Sequence, residues 1–465
     1  MPAAERSDEA PVHPALGSAL ARLDALINWE RRDRDASMRR GLAPIEDVVA
    51  RLGHPERSFR AVHVAGTKGK GTTSALVAAA LAKAGLRVGL YTSPHVVRVQ
   101  ERVRIDGVDV DDATLARALE DALAARESAV REGTPGGEAT WFDLLTAAAF
   151  ACFRARGVEW AVVECGLGGR LDSTNVVRGE VCVVTNIDLE HVNVLGGTRA
   201  LIAREKGGIL KPGAVLVTGV EPVPNAAPDD DAYGVLRAIA DELHVPLVRP
   251  ASCAWGTSAR ADESTCAKDR PSPTVLERNA ALARLVLREL GKRGVAAKDG
   301  RALSPELLDD DLARRSVLPG RLERFLVRGV PVVIDAAHVA SSVELVLAEL
   351  RTDPALRGKP FCVLALGKDK DAHAILKALG PSADRVLCTT VASGPLVDAE
   401  TLVREAAHLG IAAEKAVDPA HALARALQEA GTERWVLVIG SFYLAGAVRA
   451  QLLNEATPWP KATRC

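Results

Sequence analysis

A chain of 465 residues is too long for a single hydrophobic core and implies at least two domains. Lys and Arg number 59 against 60 Asp and Glu, and the formal charge of -1 gives no general attraction to nucleic acid or to an anionic membrane. No apolar run approaches the roughly 20 residues of a membrane span, and the opening MPAAERSDEAPVHP carries acids that a secretory leader lacks. The expectation is a soluble, cytoplasmic protein with no nucleic-acid and no membrane partner. Eight cysteines (Cys152, Cys165, Cys182, Cys253, Cys266, Cys362, Cys388 and Cys465) include no C-x-x-C pair. Three of them, Cys165, Cys182 and Cys362, sit in aliphatic runs, so reduced core thiols are expected rather than a disulfide framework or a zinc site.

After a polar lead, ALGSALARLDALIN (15–28) has helical periodicity, and a second helix in LAPIEDVVARLGHP stops at Gly53 and Pro55. Strands and helices then alternate. RAVHVAG is a β-branched strand, TSALVAAALAKAG a helix ending at Gly85, and LRVGLYTS a strand; helices follow over 113–130 and 140–156, then the apolar strands EWAVVECG and GEVCVVTNI. This rhythm predicts a parallel sheet covered by helices. Between 221 and 275, EPVPNAAPDDD and TSARADESTCAKDRPSPT read as loops, before the helix LERNAALARLVLREL. A second alternating block follows Pro319, with strands VPVVID, FCVLALG, RVLCTT and RWVLVIG separated by helices. The boundary falls near 312–320, giving domains 1–315 and 316–465. The fold class is α/β: a phosphate-loop, parallel-sheet ATPase domain followed by a smaller Rossmann-like domain.

In open parallel sheets ligands bind beyond the carboxyl ends of the strands. Those ends are polar or glycine here: Gly66–Thr72, Thr92–His95, Glu164–Arg170 and Asn186–His191, then Asp335–His338, Gly367–Asp371 and Gly440–Ser441. Two crevices, one per domain, could face each other. GTKGKGT (66–72) lacks the usual Walker spacing, because Val64 stands where that pattern has glycine and Gly71 separates Lys70 from Thr72. It nonetheless joins a strand to a helix. Gly66, Gly69 and Gly71 let amides approach phosphate, Lys70 adds a cation and Thr72 a hydroxyl for Mg²⁺.

Glu164, near a buried strand's end, is either a Mg²⁺ ligand or a capped structural carboxylate. His191 and Lys206 read as a loop histidine and a solvated helix end. Arg321, at the inferred hinge, either clamps phosphate or is a linker arginine; Asp335 either holds ribose hydroxyls or caps a helix. No G-x-G-x-x-G follows the second domain's strands, which disfavours a dinucleotide cofactor.

Taken in order, GTKGKGT, YTSPH, GLGGRLDSTN, EKGGILKP, PGR and GSFYLAG resemble the folylpolyglutamate synthase/dihydrofolate synthase family, a branch of the Mur ligases, from about residue 40 to 452. In that family the extra glycine of the loop is normal. The resemblance implies an ATP-dependent ligase joining L-glutamate to a reduced folate or dihydropteroate through an acyl phosphate, with one or two Mg²⁺ ions. It casts Lys70, His191 and Lys206 as catalytic, and Gly66, Thr67, Gly69, Lys70, Gly71, Thr72, Asn279, Arg321, Asp335 and His338 as nucleotide-binding. Thr72 and Glu164 would hold one metal ion, His191 and a carbamylated Lys206 a second. Thr92, Ser93, Pro94, His95 and Phe142 (in TWFDLLT) would line the folate pocket. The chain would act as a monomer.

Three departures stand out: DAAHVA where the family reads D-G-A-H-N-P, an irregular 251–274 segment in place of strands and an HQ pair, and LEH for LDH. The competing readings are a Mur-type ligase for another acid acceptor, a non-catalytic folate or nucleotide binder, and a general P-loop ATPase or kinase, which the loop's spacing disfavours.

Overall fold

The computed structural model describes residues 13–28, 41–250, 273–392, 394–455 and 457–458. The polar lead, most of the irregular 251–274 stretch, and Cys253, Cys266 and Cys465 lie outside them. The chain divides into two compact units, one running to His95 and from Val99 to Ser316, the other from Val317 onward and including Val96–Arg98.

The first unit is built on strands β1 (Arg60–Ala65), β2 (Val88–Tyr91), β3 (Val103–Ile105), β4 (Val108–Asp109), β5 (Trp160–Glu164), β6 (Gly179–Val184), β7 (Val215–Thr218) and β8 (Leu247–Val248). They form one sheet in the order β4-β3-β2-β5-β1-β6-β7-β8. From β2 to β8 the pairings are parallel. The β2–β3 and β3–β4 pairings are antiparallel, so the sheet is mixed rather than purely parallel. The central strands β1 and β5 are buried almost throughout, as expected for strands covered on both faces. One face packs on the helices Asp112–Glu132 and Trp141–Ala155, the second started by a Thr140/Asp143 capping box. The other face holds Cys165, Cys182, Ile209 and Leu236. Leu236 belongs to a helix, Ala232–Glu242, that the sequence pattern hid among Pro- and Asp-rich loops.

The second unit has β9 (Glu323–Val327), β10 (Val330–Asp335), β11 (Phe361–Leu364), β12 (Arg385–Cys388), β13 (Ala413–Lys415), β14 (Val436–Ile439) and β15 (Thr457–Pro458), ordered β13-β12-β11-β14-β10-β9-β15. The five strands from β13 to β10 are parallel, while β9 and β15 add an antiparallel edge. Helices cover both faces, giving two apolar layers. Cys152, Cys165, Cys182, Cys362 and Cys388 are free, buried thiols, and burial pushes those of Cys152, Cys182 and Cys388 up to about 12.

Candidate active site

Strand register creates the site. Val64 pairs with Glu164 and Ala65 with Val184, so Gly66, Cys165 and Thr185 are the first residues past the ends of three adjacent strands. Bonds from the Cys165 amide to the Val64 carbonyl (2.9 Å) and from the Thr185 amide to the Ala65 carbonyl (3.0 Å) carry the pairing past the strand ends. Beyond them the phosphate-type loop is anchored from below. The Thr67 amide donates to the Asn186 carbonyl (3.0 Å), the Lys68 amide to Asn186 Oδ1 (2.9 Å), and Thr185 Oγ1 to the Lys68 carbonyl (2.6 Å).

Those bonds leave the loop's tip for a ligand. The helix Lys70–Lys83 begins at Gly69, in the left-handed region at φ 79°, without a side-chain cap. The first-turn amides of such a helix have no intrahelical partner and carry the positive end of its dipole. Gly66 tolerates no side chain: its φ is +145° and an added Cβ would lie 1.8 Å from Thr185 Oγ1. Gly66→Ala should therefore lose about 2–5 kcal/mol of stability, from overpacking plus backbone strain. Denaturant unfolding would check this, and a variant as stable as the parent would refute the tight approach.

Asn279 reaches the same loop from the helix Val275–Lys292, which packs against Lys70–Lys83. It is 6% exposed, its Oδ1 accepts from Thr73 Oγ1 (3.2 Å), and a Cβ on Gly69 would meet that Oδ1 at 2.4 Å. Its Nδ2 is buried and has no partner among the described residues. An unpaired buried amide is costly, and a phosphate oxygen over the loop would satisfy it.

Lys206 is not the solvated helix end its sequence context suggests. It is 3% exposed and its Nζ donates to the Gly66 carbonyl at 2.8 Å. Burial, then the charge of Lys70, lowers its pKa from 10.5 to about 7, against the opposing pull of Glu190 and Asp172. The pKa of Glu190 is lowered too. Burial alone would raise its pKa, but the hydrogen bond to His191 and the charges of Lys70, His191 and Lys206 bring it to about 2. Glu190 therefore gathers Lys70, His191 and Lys206 around one carboxylate. In the sequence it showed only as the variant letter in LEH. His191 sits at φ 51°, with Nε2 3.4 Å from Glu190 Oε1.

Glu164 is 4% exposed, and its Oε2 accepts from the Ser93 amide at 3.1 Å. That contact ties the Thr92–His95 loop to β5. His95 Nδ1 accepts from buried Arg102 Nε (2.8 Å), and the Arg102 guanidinium lies 4.9 Å from the Trp141 ring centre. Phe142 packs 6.1 Å from Tyr91, and an added Cβ on Gly166 would meet its ring at 2.7 Å. The residues proposed for the acceptor pocket thus adjoin β5 and the glycine-rich loop after it. Among the described residues no three His, Cys, Asp or Glu side chains form a metal cage.

In the second unit, buried Asp335 accepts the Leu322 amide (2.9 Å) and the Ala337 amide (2.8 Å). Burial raises its pKa, while Arg321 and those amides oppose the rise. It is not a helix cap: the next helix, Ala340–Arg351, starts at Val339 with no side-chain cap. His338 Nδ1 lies 2.8 Å from the Ala336 carbonyl, which makes Nδ1 the donor. Phe442, which the sequence reading passed over inside GSFYLAG, organises this end of the sheet. Arg321 stacks 4.6 Å from its ring centre and His338 lies 5.9 Å from it.

A family model described as Mur ligase, glutamate ligase domain, matches residues 320–442. The dihydrofolate synthase/folylpolyglutamate synthase of Bacillus subtilis (strain 168) is 34% identical over 353 residues, covering 73% of this chain and 78% of that protein. The chain belongs to the folylpolyglutamate synthase/dihydrofolate synthase family. Solved structures of the family share its fold. Escherichia coli FolC in complex with DHPP and ADP matches at 29% identity and TM-score 0.75, covering 94% of this chain and 98% of that one. A bifunctional folylpolyglutamate synthase/dihydrofolate synthase with Mn, AMPPNP and L-glutamate bound matches at 29% identity and TM-score 0.73, covering 95% and 100%. No described helix is long and apolar enough to cross a membrane.

Proposed function

We propose that this chain joins L-glutamate to a folate-type carboxylate, with ATP as the phosphoryl donor. The observation that carries the proposal is the anchored Gly66–Thr72 loop, with the buried Lys206 ammonium on its Gly66 carbonyl and the unpaired Asn279 amide beside it. Related enzymes hold ADP, or AMPPNP with Mn and L-glutamate, on the same fold. The donor set suits a triphosphate with a hard cation: backbone amides, Lys70, a threonine hydroxyl and a carboxylate.

In this reading Gly69, Lys70 and Gly71 present amides to the phosphates, Lys70 Nζ neutralises charge on the transferring group, and Asn279 binds a phosphate oxygen. Gly66 and Thr67 shape the loop. Arg321 contributes a phosphate contact, Asp335 and His338 hold the nucleoside. Thr72 and Glu164 would hold one Mg²⁺, and His191 with a carbamylated Lys206 a second. A divalent ion there supplies charge neutralisation. Thr92, Ser93, Pro94, His95 and Phe142 orient the acceptor, a reduced folate or dihydropteroate. An oxygen of its carboxylate attacks the γ-phosphorus and the bond to ADP breaks, leaving an acyl phosphate. The glutamate amine then attacks the acyl carbon, loses a proton, and phosphate departs. A cytoplasmic monomer built of domains 1–315 and 316–465 is part of the same proposal.

The test is ADP release by the purified protein with Mg-ATP and glutamate, comparing dihydropteroate, tetrahydrofolate and no acceptor. Acceptor-dependent release is expected, and release with both acceptors would mean a bifunctional synthase. No release with either, in folded protein that binds ATP, would refute the reading. Glu164→Ala should raise the Mg²⁺ concentration for half-maximal rate by about 10–100-fold. A titration matching the parent's would make Glu164 structural only.

A further inference from the structure

Beneath the phosphate-type loop runs a buried polar chain that the reaction outlined above leaves unused. His63, on β1, is fully buried; its Nε2 lies 2.9 Å from Thr174 Oγ1 and 3.1 Å from Cys165 Sγ. Thr174 Oγ1 in turn donates to Asp172 Oδ1 at 2.5 Å, and Asp172 Oδ2 accepts the Leu167 amide at 2.7 Å. His63 Nδ1 is buried with no partner among the described residues.

These contacts decide the tautomer. The single Thr174 hydroxyl proton goes to the Asp172 carboxylate at 2.5 Å rather than to Cys165 Sγ at 3.6 Å, so the oxygen accepts at its contact with His63. Nε2 must therefore carry hydrogen. The alternative would oppose two lone pairs at 2.9 Å and bury an unsatisfied Nδ1–H. The imidazole stays neutral, because burial, and then the charge of Lys211, lowers its pKa to about 3.

The chain also spans two parts of the site. It begins on the strand that delivers the phosphate-type loop and ends in the 166–176 loop directly after Glu164. That loop docks on the helix Arg199–Gly207, which carries Lys206: the Arg170 amide donates to the Glu205 carbonyl (2.7 Å) and Asn175 Nδ2 to the Gly208 carbonyl (3.1 Å). Gly169 lies so close that an added Cβ would meet the Lys206 carbonyl at 3.0 Å.

We propose that His63, as the neutral Nε2–H tautomer, is a positioning residue: through Thr174 and Asp172 it fixes the 166–176 loop and so sets Glu164 and Lys206 in register for the divalent ion. The inference rests on the ligase reading for its kinetic consequence, but not for its tautomer. Gln places an amide donor near Nε2, whereas Leu removes the donor at similar volume. His63→Leu should raise the Mg²⁺ concentration for half-maximal rate about tenfold while leaving the ATP dissociation constant within about twofold. His63→Gln should recover most of that loss. Nitrogen-15 imidazole spectra of the full-length parent should show one histidine with Nε2 protonated and Nδ1 bare, unchanged as pH is lowered from 8 to 5. An unaltered Mg²⁺ titration in folded His63→Leu, a loss in His63→Gln equal to that in His63→Leu, or an Nδ1–H signal of the parent that disappears in His63→Gln would overturn the proposal. If the parent forms no ADP with any acceptor, the ligase reading fails and the spectra still decide the tautomer.

Discussion

Replacing Lys70 by alanine should lower kcat by about a thousandfold with little change in stability. Lys70 opens the helix at a partly exposed position, and among the described residues its Nζ has one hydrogen bond, a long 3.4 Å to the Thr67 carbonyl, so the fold depends little on it. Its charge matters when negative charge spreads over the phosphoryl group in transfer, where removing one preorganised donor or cation commonly costs about 10²–10⁵ in rate. Single-turnover formation of ADP, with thermal unfolding measured beside it, would check this. Normal turnover in the variant would remove the loop from the chemistry.

The second large effect concerns Lys206. Its amine, with a pKa near 7, is about half neutral at pH 7, whereas an ordinary lysine at 10.5 is neutral in about one molecule in three thousand. Carbon dioxide combines only with the neutral amine and releases a proton. Carbamylation is therefore favoured as pH rises through about 7 and suppressed below it. Activity in air-equilibrated buffer should fall most steeply between about pH 8 and 6, and added bicarbonate should restore it. Lys206→Ala should lose about a hundredfold in kcat and lose the bicarbonate response as well. If the parent shows the same rate with and without bicarbonate at pH 6.5, the lysine acts as an amine and the carbamate is wrong. Protonation also carries a folding consequence. The pKa is depressed in the folded state, so the unfolded chain takes up the proton first: this lysine costs the native structure more as pH falls from about 10.5 to about 7, and no more below that.

Much of this was readable from the chain because the physics there is local. A β-branched strand, a glycine-rich turn and an Ala-rich helix occur within the short span from Arg60 to Lys83, and β1, β5 and β6 read as strands because burial on both faces demands near-continuous apolar residues. The motif order carried the family. Long-range effects were not readable. Lys206 follows Arg and Glu and looks solvated; only strand register and the docking of its helix place it under Gly66. Glu190 gains its weight from Lys70 and Lys206, which converge on it from distant segments beside the neighbouring His191. The β3–β4 hairpin is too short to show a period, and the helix Ala232–Glu242 follows an Asp run that reads as loop, although Asp231 is in fact its N-cap. Phe442 looked like one apolar residue in a helix start, and its stacking with Arg321 exists only once β10 and β14 are paired.

The most direct test follows the oxygen. The acceptor would be prepared with its reacting carboxylate labelled with heavy oxygen, incubated with Mg-ATP and L-glutamate, and the released phosphate weighed by mass spectrometry. Attack of that carboxylate on the γ-phosphorus makes its oxygen the bridge of the acyl phosphate, so one labelled oxygen should leave in each phosphate as the amide forms. Product formation with unlabelled phosphate would contradict an acyl-phosphate route, and with it the roles assigned to Lys70, Glu164 and Lys206.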